Sequence, residues 1–483
     1  MFTNLDFLNV GKSWLPTNAT FKRRQENYIT GRLLYEGEFE PVFEDVWRNI
    51  SSRYGVDYSD IQQVMVKVNL FHALTETFKV LAFQKEPEIF LGEASNGERL
   101  QNETYPLRKV MLLLKKAFVS AHAQGEGVIK VYTNSDGQAD ISIVNPEEWI
   151  PVYNPDNLDE ITHHVVARTY EVNNNTGIFG IGWNNSTKYL AVEIHEKGKY
   201  TKRLYQLDSN NVISKLLEEE EIQTGFKGFA VFTFNYGTPS WRSYGKSAYD
   251  DIIPLVDELV TRISNNACIL DKHANPTMCA PAEAFEIDQR TGEKVLRTGY
   301  ALQMGRDGAV PQYITWDGNL GSSENQITRI LELFYMISGT NPQLFGKDIA
   351  GNLSGEALAK ILIVPIAKTR EMILSLEDAF EQAMNCMLQM RGVNKTVDIE
   401  FKVGEFNSEE DITNIVVSQK SAGIISLEKA VTDINPRFSE KEVQEEVEKI
   451  QEESSSNFAM DLEDIYPKDT EKDTKKDDVE NEQ

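Results

Sequence analysis

The chain has 483 residues, of which 41% are hydrophobic and 26% are charged. This composition supports apolar cores in roughly two to four folded units, at about 100–200 residues per domain, and it excludes a disordered chain. Asp and Glu number 75 against 49 Lys and Arg, a formal net charge of -26, which excludes a basic nucleic-acid binder that neutralises many phosphates.

Three scattered cysteines (Cys268, Cys279 and Cys386) are too few for a disulfide framework and match no zinc spacing. They suit a reducing compartment. The apolar runs are shorter than the roughly 20 residues of a membrane span. Residues Met1 to Thr20 lack the basic start and apolar core of a signal peptide. We therefore expect a protein made in the cytoplasm and used there or in a particle assembled there.

The first part of the chain is predicted to be helical. Apolar residues recur at helical spacing from Tyr28 to about Leu81 and again from Leu107 to Ala123. Alternating residues and turn signals then predict an antiparallel meander. Its expected strands are Val128–Thr133, Ala139–Val144, His163–Val172, Tyr189–Glu196 and Tyr200–Leu207.

Two helices with apolar stripes follow, separated by a small β-containing segment. The first is predicted from about Asp250 to Asp271, where apolar residues step by three or four. The second follows Ser322-Ser323 and carries its apolar residues as far as Ile337. Between them, turn signals predict a short β excursion from Ala282 to Trp316.

A glycine-rich loop, Gly346 to Leu353, precedes a long helix. Ser354 is a good N-cap for this helix, which is predicted to extend to about Met390. Pro365 lies inside it and should produce a kink, because proline removes one hydrogen bond and clashes with the preceding turn.

The end of the chain is predicted to contain a strand, short helices and an acidic tail. The strand candidate is Thr396–Lys402, and capping residues predict helices within 408–453. The acidic stretch Asp461–Gln483 is expected to be disordered.

We find no motif for catalysis or metal binding. From Gly339 to Gly346-Lys347 the chain resembles a phosphate-binding loop, but six residues separate the glycines where four are needed, and Asp348 follows the lysine. His163 and His164 are adjacent on a predicted strand, so they point to opposite faces and cannot chelate one ion together. The sequence therefore predicts no catalytic residue, no metal and no cofactor.

Several short phrases, in a shared order, resemble the portal proteins of tailed bacteriophages, in particular those of long-tailed phages of Gram-positive hosts. The strongest is Gly245-Lys246-Ser247, followed by Ile253 and Asp257 at fixed spacing. The resemblance covers about Tyr28 to Glu452. The other phrases are Asn69–Phe78, Lys85–Pro87, Ala123–Gly127, Asn145–Tyr153, Ala274–Pro276, Leu353–Leu358 and Ile425–Glu428.

The resemblance implies an α+β fold with the portal architecture. Its expected parts, in chain order, are an N-terminal arm (1–27), a wing of helices and antiparallel strands (28–249), a first stem helix (250–271), a β-containing clip (272–322), a second stem helix (323–345), a tunnel loop (346–353), a long kinked helix that returns to the wing (354–407), a helical crown (408–453) and a disordered acidic tail (454–483).

The resemblance also implies a function without catalysis. It implies a homododecameric ring at one vertex of the virion capsid, assembled in the host cytoplasm and without contact with a membrane. Double-stranded DNA passes through its channel during packaging and ejection. The other expected partners are the terminase large subunit, the scaffold and major capsid proteins, and the head-completion adaptor.

Ten residues are the candidates that this reading places at functional positions. The tunnel loop would bring Lys347, Asp348 and Asn352 to the DNA channel. The stem would contribute Asp257, Glu258, Arg262 and Arg329, and the docking region of the clip would contain Arg290, Lys294 and Arg297.

Physical reasoning agrees with this reading but leaves alternatives open. Duplex DNA carries a charge about every 1.7 Å, so a basic lining would act as a brake, whereas an acidic ring keeps contacts few. The loop could instead be an ordinary helix connector, and the two apolar helices could be a hairpin in the core of one subunit. The rival functions are another capsid or scaffold protein, or a hydrolase with a helical lid.

Overall fold

The computed structural model of the chain contains two units, Met1–Gly404 and Glu405–Gln483, which we describe one at a time. Both helices and strands are abundant, which confirms the α+β class. The structure describes residues 2–15, 18–54, 65–92, 98–100, 104–173, 186–238, 242, 244–274, 278–279, 285–287, 290, 294–296, 312–313, 320–346, 355–404, 409–435, 438 and 441–452.

The predicted helical stretch from Tyr28 to about Leu81 contains more than one helix in the structure, and capping residues mark helix ends. The Asn18 side chain accepts the Phe21 N–H at 2.8 Å, so the first helix begins before the predicted stretch at Tyr28. It ends where Gly37 adopts a φ of 80°, which favours glycine. The α-helices are α1 (Ala19–Glu36), α2 (Glu40–Tyr54), α3 (Leu70–Ala82), α4 (Leu107–Gln124), α5 (Ile253–Ala274), α6 (Gly321–Ser338) and α7 (Gly355–Met390).

The strands form small antiparallel sheets. The outer sheet has the order β5-β6-β7-β8-β9, and the inner sheet has the order β10-β3-β4. A third sheet has the order β15-β1-β2, and β11-β14 and β12-β13 are two-stranded. The strands are β1 (Glu88–Leu91), β2 (Glu98–Arg99), β3 (Glu126–Thr133), β4 (Ala139–Val144), β5 (Trp149–Asn154), β6 (Asn157–Asn173), β7 (Ser186–Glu196), β8 (Lys199–Leu207), β9 (Ile213–Gln223), β10 (Val231–Asn235), β11 (Met278–Cys279), β12 (Phe285–Ile287), β13 (Lys294–Leu296), β14 (Gln312–Tyr313) and β15 (Val397–Glu400).

The inner sheet lies between the outer sheet and the helices α4 and α7, so the first unit is layered around it. Trp149 and Val166 of the outer sheet are buried against Val128, Val144 and Val231 of the inner sheet. Such alternating side chains from two facing sheets are the usual way to fill a core.

The N-terminal arm covers the other face of the outer sheet. The Tyr153 N–H donates to the Phe2 carbonyl at 2.6 Å, and the Ile213 N–H donates to the Lys12 carbonyl at 2.9 Å. These bonds hold the apolar side chains of the arm against both edges of the sheet. The arm contributes Phe2, Leu5, Phe7, Leu8 and Trp14 to this core.

A buried ion pair joins α1 to the inner sheet. The Arg24 guanidinium lies 2.8 Å from the Glu126 carboxylate and 4.4 Å above the Trp149 ring, and its Nε donates to the Tyr28 hydroxyl at 2.6 Å. Glu126 also accepts the Gly245 N–H at 3.2 Å. Because removing one partner of such a pair costs about 3–5 kcal/mol, these contacts fix the segment that leads into α5.

The second unit is helical where the structure describes it. It contains α8 (Glu409–Ser421), α9 (Leu427–Ile434) and a further helical segment over residues 441–452. Ser426 caps α9 by accepting the Lys429 N–H at 3.1 Å, as its sequence position predicts. The acidic tail from 454 onward lies outside the described residues.

Candidate functional site

The predicted stem consists of two helices that pack against each other. Val256, Leu259 and Val260 of α5 are buried, as are Ile330 and Phe334 of α6. A polar contact adds to this packing, because the Ser323 hydroxyl donates to the side-chain oxygen Oδ1 of Asn266 at 2.7 Å. The apolar stripes that the sequence predicts therefore meet within one subunit along part of their length.

The four stem candidates do not form one cluster. Asp257 is half-buried and accepts the Trp47 indole N–H of α2 at 3.3 Å, and burial raises the pKa of its carboxyl group. Glu258 accepts from Arg262 at 2.6 Å within α5. Arg329 pairs with Glu332 of its own helix at 2.8 Å and is exposed. Asp257 thus links α5 to α2, while the other three present charge at the surface.

The remaining candidates are only partly described. Lys347, Asp348, Asn352 and Arg297 lie outside the described residues. Arg290 is exposed, and the backbone of Lys294 pairs with Ile287 in the β12–β13 hairpin. The structure therefore neither brings the clip candidates together nor separates them.

The described residues at the base of the predicted tunnel loop show how α6 and α7 are joined. In a regular helix the Ile361 carbonyl would accept the N–H of residue 365, but Pro365 has none. The Asn341 side chain supplies the missing donor to this carbonyl at 3.1 Å. Its oxygen also accepts the Leu344 N–H at 3.2 Å, which caps a short 3₁₀ turn.

Lys368 makes a second link between α7 and the end of α6. Its ammonium donates to the Ser338 carbonyl at 2.9 Å, where the helix dipole favours a positive charge. Burial lowers the pKa of Lys368, although Asp251 and Glu371 oppose this effect. Asn341 and Lys368 together form what we call the loop clamp. The prolines at 342 and 365 are its only signal in the sequence, and they do not reveal which side chain replaces the missing donor.

Among the residues that the structure describes, the buried polar groups outside the loop clamp do not form an accessible catalytic site. Thr75, His122 and Tyr249 are linked by bonds of 2.8 and 2.5 Å, but all three are at most 1% exposed. Burial lowers the pKa of His122 to about 3, so the ring is neutral. No substrate can reach this hydrogen-bonded group, which connects α3 and α4 to the start of α5.

No cluster of three potential metal ligands is present in the described part of the chain, and none of the helices described there is long and apolar enough to cross a membrane. His163 and His164 lie on opposite faces of β6, as predicted. His163 pairs with Glu196 at 3.3 Å, while His164 is buried and accepts the Trp149 indole N–H at 3.1 Å.

Comparison with known families decides between the three functions that the sequence leaves open: a portal protein, another capsid or scaffold protein, and a hydrolase. Residues 18–457 match the family described as "Phage portal protein, SPP1 Gp6-like". The chain belongs to this family of phage portal proteins. Membership of this family supports the portal function and neither the hydrolase nor the scaffold alternative.

Solved structures similar to the portal protein come from gene transfer agent (GTA) particles. The neck of a native particle computed with C12 symmetry has a TM-score of 0.42 and 9% identity, over 76% of this chain and 89% of that chain. The neck of an empty particle computed with C6 symmetry has a TM-score of 0.44 and 11% identity, over 75% and 89%. A search of curated proteins gives no match.

Proposed function

We propose that the chain assembles into a closed ring at one vertex of the virion capsid, and that double-stranded DNA passes through the ring during packaging and ejection. The match of residues 18–457 to the portal family carries this proposal. A net charge of -26 supports it, because an acidic ring gives a polyanion few places to bind tightly. Identical copies would close the ring through head-to-tail contacts.

The parts of this portal protein follow the order of its elements. We assign α5 and α6 to the stem, residues 272–322 to the clip and residues 408–453 to the crown. The wing comprises the two sheets with the helices that pack on them. The packing of α5 against α6 supports the stem assignment, since both helices leave charged faces at the surface.

We place the loop 346–353 in the channel, with Lys347, Asp348 and Asn352 as its contacts with the DNA backbone. The loop clamp supports this placement, because it fixes both helices from which the loop departs. The composition of the loop supports it as well. Gly346, Ala350 and Gly351 have little side-chain bulk, which allows a close approach of the loop backbone to a passing duplex.

A double substitution, Lys347→Ala with Asp348→Ala, tests the loop. We expect rings of unchanged mass, and less nuclease-protected DNA per particle in a packaging assay, because contacts with the backbone are lost. Lys22→Ala with Glu26→Ala on α1 is the matched control and should package normally. Normal packaging by the loop variant, or rings that fall apart, would show that the loop has another role.

We assign docking of the packaging terminase, and later of the head-completion adaptor, to the clip. Hydrolysis of ATP belongs to the terminase in this scheme, because the chain shows no nucleotide-binding motif. Changing Arg290, Lys294 and Arg297 to Glu should weaken binding of the purified terminase large subunit without altering the ring. Undiminished binding would remove the clip from this role. The scaffold and major capsid proteins would contact the wing.

A further inference from the structure

The strand β4 leaves one side of the inner sheet open. It pairs with β3, and on its other side no strand of the described chain pairs with it. In an antiparallel ladder, alternate residues turn their N–H and C=O groups away from the partner. Val131 of β3 donates its N–H to Ala230, away from β4, so the opposite residue Ile141 also turns outward. Ile143 has the same orientation.

The first half of this edge is occupied and the second half is not. The Ala139 carbonyl accepts from Arg391 at 2.7 Å, and the Ile141 N–H donates to the Asp140 side chain at 2.8 Å. Within the described residues, the outward N–H and C=O of Ile143 have no hydrogen-bond partner. One residue with both groups available can form a closely spaced pair of bonds with an added strand.

Two cavities lie on the two faces of this same edge. One, of about 510 Å³, is lined by Ile143 and Asn145 together with α1, α3 and α4. The other, of about 580 Å³, lies between the two sheets and is lined by Ser142. Because side chains alternate along a strand, a strand added to β4 would send its side chains alternately into the two cavities.

The cavity beside α4 is basic in an otherwise acidic protein. The helix α4 contains four Lys and Arg residues and no Asp or Glu. Lys115 and Lys116 line the cavity, are exposed, and have no carboxylate partner among the described residues. Leu112, which is 55% exposed, adds apolar surface between them. An acidic side chain on an extended backbone therefore complements this cavity in charge and shape.

The cavity between the sheets has a different character. Lys130, Arg168 and Lys202 line it together with Glu193 and Glu220, so both signs of charge are present. It would accept polar side chains without selecting their sign. A solvated helix surface would explain the lysines of α4 alone, but it would not explain why an open strand edge and both cavities coincide.

We propose that the outer edge of β4, at Ile143, binds an extended acidic segment of a partner protein by strand addition, with acidic side chains placed against Lys115 and Lys116. This interaction goes beyond ring formation and DNA passage. It requires a partner whose segment has acidic residues at alternate positions and lacks proline.

The test selects binders from a yeast-displayed library of random peptides with the purified full chain as bait. We expect the enriched peptides to be acidic at alternate positions and to slow hydrogen exchange of the Ile143 amide. Lys115→Glu with Lys116→Glu should weaken their binding by about tenfold or more, because like charges then face each other. Lys22→Glu with Arg23→Glu, exposed on α1, makes the same charge change and should leave binding unaltered.

Ile143→Pro tests the backbone contact separately. It removes a donor that points away from β3, so the inner sheet should remain intact while peptide binding is lost. Enrichment of peptides without acidic residues, no enrichment, or full binding by the proline variant would overturn the proposal. Protection of the Ile143 amide that grows with chain concentration in the absence of peptide would assign the edge to a second copy instead. None of these results would affect the portal role.

Discussion

Glu377 of α7 lies near three other carboxylates, those of Glu381, Asp398 and Glu400. Burial, together with the smaller effect of the three neighbouring charges, raises the pKa of Glu377 to about 7. Glu381 also has a raised pKa, although it accepts the Ile399 N–H at 2.7 Å. At the contact between α7 and β15, the Glu377 carboxyl group therefore stays protonated at pH values well above the usual pKa of a glutamate.

This shift makes the stability of the first unit depend on pH. The folded chain binds a proton at Glu377 that the unfolded chain releases above a pKa of about 4.5, so stability is full below that value and is lost as pH rises through about 7. Glu377→Gln should therefore raise the melting temperature at pH 8 and change it little at pH 4.5. An equal effect at both values, measured by thermal unfolding, would contradict this account.

Most single-residue contacts at the site could not be predicted from the sequence, because their partners come from distant segments. His122 has no visible partner in the sequence, yet it meets Thr75 and Tyr249 in the fold. Arg24 is buried against Glu126, which lies 102 positions away in the sequence. Residue type and spacing contain no information on such encounters.

At the scale of elements, the loop clamp gives a prediction that depends on Pro365. Asn341→Ala leaves the Ile361 carbonyl without a donor, which costs about 1–3 kcal/mol, and it also removes a cap. In a Pro365→Ala background the new N–H of residue 365 can donate to the Ile361 carbonyl, so Asn341→Ala should cost less stability there. We expect Asn341→Ala to lower the melting temperature less in that background than in the natural chain.

Strictly additive changes in melting temperature would show that Asn341 does not serve the Ile361 carbonyl. Asn9→Ala is a suitable control, because Asn9 is an exposed asparagine of the N-terminal arm, distant from α6 and α7 in the sequence. It should have the same small effect in both backgrounds.

The sequence predicted the elements whose pattern is local. The spacing of apolar residues predicted α4, α5 and α6 to within a few residues, the Ser354 cap predicted α7, and alternation predicted β3 and β4. It missed β5, β9 and β10. β9 contains four consecutive glutamates and no alternation, and it is extended because it pairs with β8, where Arg203 bonds Glu219 at 2.8 Å. Such a segment becomes a strand because it pairs with a neighbouring strand, and its own residues do not predict it.

At the scale of the whole molecule, exposed apolar residues near the loop clamp are candidates for contacts between subunits of the ring. Met336 and Ile337 at the end of α6 are 69% and 40% exposed, and Ile363 and Val364 of α7 are 64% and 51% exposed. The clamp holds these two helix ends together, so both pairs of exposed apolar side chains lie on linked helix ends. Exposed apolar side chains that lie together are typical of protein interfaces, and under the proposed function a neighbouring copy in the ring would cover these.

Ring closure could not be deduced from a single chain, because apolar stripes pack equally well within a subunit and between subunits. The buried side of α5 and α6 is used within the subunit. Under the proposed function, a neighbouring copy of the chain covers the other faces of these two helices. Net charge is the sequence property that was informative at this scale, since a value of -26 by itself argues against tight DNA binding.

Electron microscopy of the purified chain tests the central claim most directly. The account predicts closed rings, with a mass about twelve times the 54.8 kDa of one chain, and a central pore that admits a B-form duplex. A chain that stays monomeric at high concentration, or rings whose pore is closed or too narrow for double-stranded DNA, would contradict it.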